Sequence, residues 1–159
     1  MTTFFTPPPY GIATTIKKTF SRETSVSIEV QADPSIIWAL LTNAEDYPRW
    51  NTTITSIEGD IVQGSRIKLR STLDPSRTFK LKIKEILPGE KMVWGDALGE
   101  RTYSLDRRQG GEVLFTMRER IGGLMFPLFA NKIPSFDSSF ETFARDLKVE
   151  AEIIQKSNK

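Results

Sequence analysis

The sequence predicts an α+β fold in which a curved antiparallel sheet of seven strands wraps around a long carboxy-terminal helix. Three observations predict it: a strand followed by two short helices, then a series of alternating segments separated by turns, and finally a long helical apolar repeat. Strands that are joined by short turns pair antiparallel. A sheet with one apolar face becomes stable when a helix covers that face.

The amino-terminal residues 1–20 are predicted to form an arm, and residues 21–159 a single domain. Pro7, Pro8 and Pro9 lack the backbone N–H groups that a sheet ladder needs, so they favour an irregular extended segment. A chain of 159 residues has the usual size of one domain.

The first strand and the two short helices are predicted between residues 26 and 51. Val26–Val30 alternates apolar and polar residues, which is the period of a half-buried strand. Asp33 is a favourable N-cap, and Pro34 suits the first position of a helix. Residues 43–51 are predicted to form the second short helical segment.

Six further strands and the long helix complete the predicted fold. Turns that contain Gly, Pro or Asp separate the strands, which span Ile54–Glu58, Ser65–Leu73, Thr78–Leu87, Lys91–Ala97, Arg101–Arg107 and Glu112–Ile121. The helix is predicted from Phe136 to Ile154 because apolar residues recur there every three or four positions.

The composition excludes several kinds of chemistry. The chain contains no histidine and no cysteine, so disulfides, thiol nucleophiles, His-based acid–base pairs and imidazole or thiolate metal sites are excluded. The Asp and Glu spacing fits no calcium loop, and the glycines fit no phosphate loop. We therefore predict no metal and no cofactor. The 22 basic and 20 acidic residues give a net charge of +2, which is too mild to indicate nucleic acid.

A cytoplasmic location is predicted from the distribution of apolar residues. No apolar run approaches the roughly 18 residues of a membrane helix. The amino terminus also lacks the apolar core that a secretory signal peptide requires.

Three motifs in order carry a resemblance to a known superfamily. They read Pro34-x-x-x-Trp38-x-x-Leu41 with Tyr47-Pro48-x-Trp50-Asn51, then Ile86-Leu87-Pro88-Gly89-Glu90-x-Met92-x-Trp94, then Phe140-x-x-Phe143-x-x-x-Leu147-Lys148-x-x-Ala151-Glu152. Over residues 25–155 the chain resembles the START-like superfamily, also called the SRPBCC or polyketide cyclase/dehydratase-like group. The resemblance implies a helix-grip fold with a hydrophobic-ligand cavity between the sheet and the helix. It implies no single reaction, because the superfamily contains carriers, cyclases, hydratases and adaptor domains.

A row of charged residues is predicted at one end of the apolar inner face. Strand alternation places Arg101, Tyr103 and Glu119 on that face, and a tight turn near Gly110 sets Arg101 opposite Glu119. A tight turn at Leu98-Gly99 would set Asp96 opposite Arg101 and Trp94 opposite Tyr103. Three interpretations stay open: an ion-pair cluster that closes the barrel, a site for an acidic or carbonyl group, or an acid–base site. The candidate catalytic residues are Asp96, Arg101, Tyr103 and Glu119.

The large inward-facing residues are candidates for lining the cavity that the resemblance implies. They are Trp38, Trp50, Leu69, Leu81, Ile83, Trp94, Tyr103, Phe115, Met117, Phe126, Phe129, Phe136 and Phe140. Each of them is also a candidate for ordinary core packing. Phe126, Phe129 and Phe136 flank a Gly-Gly pair and Pro134, which is typical either of a lid over a cavity or of a packed loop.

The outer face of two neighbouring strands is predicted to be strongly basic. It carries Arg66, Lys68, Arg70, Lys80, Lys82 and Lys84, and Arg118 and Arg120 extend it. The alternatives are a solvated face, an anionic membrane surface and nucleic acid. The absence of interleaved aromatic residues disfavours nucleic acid.

Three functions remain open at this stage. The first is the binding or transport of a small hydrophobic ligand, such as a lipid, a polyketide-like or an aromatic molecule. The second is an enzyme that resembles the polyketide cyclases and dehydratases and uses Asp96 or Glu119 with Arg101 or Tyr103. The third is an adaptor or anionic-membrane-surface module that acts through the basic face. The sequence leaves the oligomeric state open.

Overall fold

The structure is a computed structural model that describes residues 10–158 of the chain. Eight antiparallel strands form one sheet in the order β1-β2-β8-β7-β6-β5-β4-β3. The strands are β1 (Thr14–Lys17), β2 (Ser21–Val30), β3 (Ile54–Glu58), β4 (Arg66–Ser71), β5 (Phe79–Leu87), β6 (Lys91–Gly95), β7 (Gly99–Arg107) and β8 (Val113–Gly122). The α+β class, the antiparallel sheet and the carboxy-terminal helix are confirmed.

The predicted number of seven strands is wrong, because β1 adds an eighth strand. Residues 14–17, which were assigned to the arm, pair with β2 so that Thr14 faces Ser25 and Lys17 faces Arg22. Threonine and isoleucine in this segment favour extended backbone. The strand β2 also begins five residues earlier than its predicted start at Val26, so a longer edge is available for pairing. The predicted arm residues Pro7, Pro8 and Pro9 lie outside the described residues.

Four α-helices accompany the sheet in the described part of the chain: α1 (Pro34–Thr42), α2 (Tyr47–Trp50), α3 (Phe126–Phe129) and α4 (Asp137–Ser157). Short 3-10 helices at Ala44–Asp46 and Ala130–Lys132 precede α2 and follow α3. The Asp33 carboxylate caps α1 by accepting the Ser35 backbone N–H at 2.8 Å. None of the helices within residues 10–158 combines the length and the hydropathy that a membrane span requires.

The core lies where α4 packs across the inner face of the sheet. Phe140, Phe143 and Leu147 of α4 are fully buried. The Phe143 ring lies 5.6 Å from Tyr103, 5.8 Å from Trp50 and 6.1 Å from Phe115, measured between centroids. Aromatic packing therefore fixes the long helix on the sheet.

One end of the sheet gathers several connections. The antiparallel pairing brings the β1–β2 turn, the β4–β5 loop, the β6–β7 turn and the end of β8 to the same end. The segment between β8 and α4 starts there as well. The helix α4 begins only at Asp137, so this end of the inner face is covered by the connecting segment instead of by α4.

Candidate ligand cavity

A cavity of about 210 Å³ lies at this end of the inner face. Strands β3 to β8 contribute to its walls, and residues 132–136, which we call the covering segment, lie across it. Its apolar wall residues are Ile54, Leu69, Leu73, Phe79, Leu81, Trp94, Leu98, Ile121, Ile133, Pro134 and Phe136. Its polar wall residues are Ser71, Asp74, Arg77, Asp96, Arg101, Glu119 and Lys132. A mostly apolar wall with a few polar groups is typical of a site for a small molecule.

Four of the residues predicted to bind a ligand border this cavity: Leu69, Leu81, Trp94 and Phe136. Their role as ligand contacts stays a prediction.

The other residues predicted to line it do not border it: Trp38, Trp50, Ile83, Tyr103, Phe115, Met117, Phe126, Phe129 and Phe140. Most of them pack in the core, where Ile83, Tyr103, Phe115, Met117 and Phe140 are fully buried. Phe126 and Phe129 pack on each other, with ring centroids 5.7 Å apart. Alternation along a strand identifies the inner face, but it does not tell which part of that face α4 covers.

An ion pair lies in the cavity wall where the sequence predicts it. Arg101 faces Glu119 across β7 and β8, and the Arg101 Nε donates to Glu119 Oε1 at 3.0 Å. The side chains are only 11% and 17% exposed. Burial by itself would lower the pKa of Arg101, but the charge of Glu119 outweighs it and raises that pKa. The cavity therefore contains a fixed, permanently charged guanidinium.

The predicted pairing of Asp96 with Arg101 is wrong. Trp94, and not Asp96, faces Arg101, and Met92 faces Tyr103, so the register between β6 and β7 differs by two residues from the predicted one. The reason is the turn after Gly95, in which Asp96 Oδ1 accepts the Leu98 and Gly99 backbone N–H groups at 2.9 and 3.1 Å. Asp96 borders the cavity, but its carboxylate holds the turn.

Tyr103 is fully buried beneath the cavity wall. Its ring meets Trp94 edge-on, with centroids 4.9 Å apart. Burial raises the pKa of Tyr103, the Arg101 charge opposes the shift, and Glu119 adds to it. The hydroxyl has no hydrogen-bond partner among the described residues. Tyr103 therefore stays neutral and contributes packing to the site.

Arg22 is a residue of this site that the sequence prediction missed. It is 7% exposed and donates to the carbonyl oxygens of Ile133 and Pro134 at 3.2 and 2.8 Å. It therefore fixes the covering segment to β2. Strand alternation could have identified it. The strand extends back to Ser21, and Arg22 lies four residues before the buried Val26, so both side chains lie on the inner face.

A stack of two cations and two rings joins the covering segment to the ion pair. The Arg22 guanidinium lies 4.8 Å from the Phe136 ring centroid. The Phe136 and Phe140 rings stack with centroids 6.1 Å apart and an interplanar angle of 6°. The Arg101 guanidinium lies 4.9 Å from the Phe140 centroid. Cation–π contacts of this kind hold the two arginines against the aromatic layer.

Two exposed cations, Arg77 and Lys132, mark the mouth of the cavity. The Arg77 guanidinium lies 4.6 Å from the Phe79 ring centroid. Neither cation takes part in any ion pair formed within residues 10–158. The sequence analysis missed both, because they lie in connecting segments where strand alternation gives no information.

Across the described chain, no three Asp or Glu residues are grouped as they would be in a metal site. Of the acidic residues of the cavity wall, Glu119 is engaged by Arg101, Asp96 by the β6–β7 turn and Asp74 by the Ser76 hydroxyl.

The sequence matches one family model over residues 31–134, the Activator of Hsp90 ATPase homolog 1-like proteins. This match covers more than half of the chain. The chain belongs to this family. Among curated proteins, none matches the sequence significantly.

Solved structures support the same fold for this Activator of Hsp90 ATPase homolog 1-like protein. A START superfamily protein from Mycobacterium smegmatis aligns with a TM-score of 0.61 and 16% identity, over 83% of this chain and 98% of the other. A protein from Rhodobacter sphaeroides aligns with a TM-score of 0.63 and 18% identity, over 87% and 97%. DynU16, from the dynemicin biosynthetic locus, aligns with a TM-score of 0.64 and 12% identity, over 85% and 49%. The START-like resemblance and the helix-grip fold are confirmed.

The outer face of this family member carries the predicted basic surface. Lys68 faces Lys80 and Arg66 faces Lys82 across β4 and β5, and all four are exposed. Arg118 differs, since it pairs with Glu23 at 2.9 Å. Lys84 likewise binds Glu100, at 2.9 Å. The basic surface is therefore concentrated on β4 and β5.

Proposed function

We propose that this protein binds a small hydrophobic ligand in the cavity beneath the covering segment. The observation that carries the proposal is a mostly apolar cavity whose wall holds the nearly buried Arg101–Glu119 ion pair. Apolar walls favour transfer of an apolar molecule from water. The volume of about 210 Å³ is below the roughly 300–1,000 Å³ of typical ligand sites, so a slender or small ligand fits best.

The cations of the cavity favour a ligand with one acidic or carbonyl group. Arg101 lies inside, and Arg77 and Lys132 lie at the mouth without a carboxylate partner in the described chain. The wall also holds three carboxylates, Asp74, Asp96 and Glu119, and each of them accepts hydrogen bonds from this chain. The charges of the wall therefore sum to zero, but Arg77 and Lys132 form no ion pair in the described chain and are placed to bind an anionic end group.

The enzyme hypothesis has weaker support. Asp96 and Glu119 both border the cavity, as a cyclase-like mechanism requires, and one structural neighbour is a protein of a biosynthetic locus. However, a general base needs a carboxylate that is free to take up a proton, and each of these carboxylates is held by donors. We therefore favour binding or transport over catalysis. The adaptor hypothesis rests on the basic surface of β4 and β5. A cytoplasmic location stays a prediction from the sequence.

The first experiment is native mass spectrometry of the freshly purified protein, with extraction of any bound molecule. A stoichiometric apolar adduct is expected. The second experiment is calorimetric titration with decanoate and with decanol, which share an alkyl chain and differ in the acidic group. We expect both to bind and decanoate to bind more tightly.

Two variants on the same strand make the titration specific. Leu81→Trp fills the cavity, because Leu81 borders it, and should abolish binding of both probes. Leu87→Trp is the matched control, because Leu87 is 44% exposed at the far end of β5, and should leave binding unchanged. Absence of any adduct together with absence of binding by either probe would overturn the proposal.

A further inference from the structure

An exposed apolar cluster lies beside the cavity, and nothing in the described chain covers it. Its members are Phe20 at 52% exposure, Leu124 at 86%, Met125 at 62% and Leu128 at 71%. We call these four residues the apolar tip. Large apolar side chains with this exposure mark a surface that meets an apolar phase or a partner.

The members of the apolar tip come from two adjacent connections. The Gly123 backbone N–H donates to the Phe20 carbonyl oxygen at 3.0 Å, so the β1–β2 turn and the start of the β8–α4 segment are joined. Leu124, Met125 and Leu128 follow directly in that segment. The buried Phe126 and the half-buried Phe129 point away from the solvent and pack on each other. The segment is thus amphipathic, with an anchored side and an exposed side.

Three lysines lie in the same two connections as the apolar tip. Lys17 and Lys18 belong to the same β1–β2 connection and border an open groove of about 430 Å³, whose opposite wall includes Phe126 and Asn131. Lys132 lies farther along the β8–α4 segment, at the mouth of the cavity. Ion pairs between described residues include none of these three lysines. Asp137, the acid at this groove, is engaged by the Thr15 hydroxyl.

We propose that this end of the molecule docks on a lipid bilayer that contains anionic phospholipids, with the apolar tip inserted and Lys17, Lys18 and Lys132 at the headgroups. Exposed aliphatic and aromatic residues flanked by lysines are the combination that binds an anionic membrane interface. The cavity opens at the same end of the sheet. Docking would therefore place the cavity mouth against the bilayer, where an apolar ligand can enter without crossing water.

This proposal goes beyond ligand binding and does not depend on it. It also differs from an electrostatic contact through β4 and β5. No exposed large apolar residue lies among the six outward cations of those strands, which run from Arg66 to Arg70 and from Lys80 to Lys84. A contact that uses charge alone would be weaker and would vanish at high salt.

The test is co-sedimentation of the full chain with phosphatidylcholine vesicles that contain or lack phosphatidylserine. We expect binding to the phosphatidylserine vesicles. The triple variant Leu124→Ser, Met125→Ser and Leu128→Ser should weaken it by roughly tenfold or more, because the inserted apolar area is lost. The double variant Lys17→Glu and Lys18→Glu should weaken it by roughly 25-fold or more, since each lysine near an anionic surface contributes about fivefold and the two factors multiply.

A matched control separates the two basic surfaces. Lys68→Glu with Lys80→Glu changes the charge by the same amount on the outer face and should leave vesicle binding nearly unchanged. Failure of the wild type to bind either vesicle would overturn the proposal, as would binding that depends on Lys68 and Lys80 but not on the apolar tip. A wild-type dimer in sedimentation velocity that the triple serine variant dissociates would also overturn it, since a second copy would then cover the tip.

Titration with decanoate keeps this proposal separate from the proposed function. The tip residues Leu124, Met125 and Leu128 do not border the cavity. The triple variant should therefore bind decanoate like the wild type even when it no longer binds vesicles. Loss of decanoate binding in this variant would contradict the separation of the two surfaces.

Discussion

Replacing Arg101 by methionine removes the nearly buried cation of the cavity wall and leaves Glu119 without its partner. The Arg101 Nε–Glu119 Oε1 distance is 3.0 Å, and the side chains are only 11% and 17% exposed. The substitution keeps most of the aliphatic volume of the side chain. The main effect is therefore electrostatic, because a nearly buried carboxylate loses the charge that compensates its desolvation.

The magnitude follows from the burial of the pair. Breaking one side of a fully buried pair costs about 3–5 kcal/mol. Both side chains keep some contact with the open cavity, so we expect about 3 kcal/mol for Arg101→Met, including the lost contact with the Phe140 ring. For a protein of this size that loss lowers the Tm by roughly 6–12 °C. The double variant Arg101→Met with Glu119→Leu removes both charges of this pair and should lie within about 1 kcal/mol of the wild type.

The assay is urea unfolding followed by the fluorescence of the buried Trp50 and Trp94 and analysed by linear extrapolation. Arg118→Met is the matched control on β8, because its pair with Glu23 is exposed, at 57% and 39%, and should contribute less than about 1 kcal/mol. The reasoning is refuted if Arg101→Met loses no more stability than Arg118→Met. It is refuted as well if the double variant is as unstable as Arg101→Met.

Three further predictions use the same unfolding assay. Asn51→Ala should lower the free energy of unfolding by about 2–3 kcal/mol. The reason is that the buried Asn51 Oδ1 accepts the Thr53 N–H, the Thr53 hydroxyl and the Ile54 N–H at 3.0, 2.8 and 2.8 Å. A loss as small as that of Arg118→Met would contradict this prediction. Gly95→Ala should lower the free energy of unfolding by more than about 2 kcal/mol, because a Cβ there would lie 2.2 Å from the Gly99 carbonyl oxygen. An unchanged urea midpoint would contradict this and would show that the β6–β7 turn relaxes freely. Stability should fall above about pH 10, because tyrosines of the unfolded chain ionise near about 10, whereas burial raises the pKa of Tyr103 in the fold. The stability that neutral, buried Tyr103 contributes is fully present below the pKa of tyrosine in the unfolded chain. It is lost as the pH rises through the higher pKa of Tyr103 in the folded protein. Tyr103→Phe should reduce this alkaline loss, and an identical pH profile for wild type and variant would exclude Tyr103 as its source.

The Arg101–Glu119 pair could be predicted because two local rules were sufficient for it. Strand alternation placed both residues on the inner face, and the short turn between β7 and β8 at Gly110-Gly111 fixed their register. The register between β6 and β7 could not be obtained in this way. The length of that turn depends on hydrogen bonds from Leu98 and Gly99 to the Asp96 side chain, and a shift of two residues leaves the alternation unchanged.

The strand β1 shows a second limit of the sequence. Thr14–Lys17 is a short segment of four residues whose pattern alone does not distinguish a strand from an extended arm. Pairing with β2 decides it, since the backbone groups on the free edge of β2 find partners there.

The sequence by itself determined the α+β class, the order of most strands, the long amphipathic helix and the ion pair of the inner face. These features depend on periodicity and on turns, which are local properties of the chain. Only the tertiary structure decided which inward residues border the cavity. Phe115 and Met117 face inward and are buried in the core beside α4, whereas Leu69 and Leu81 lie near the end that α4 does not reach and border the cavity. The start of α4 at Asp137 and the attachment of the covering segment to Arg22 set that division, and both depend on contacts between residues far apart in the chain.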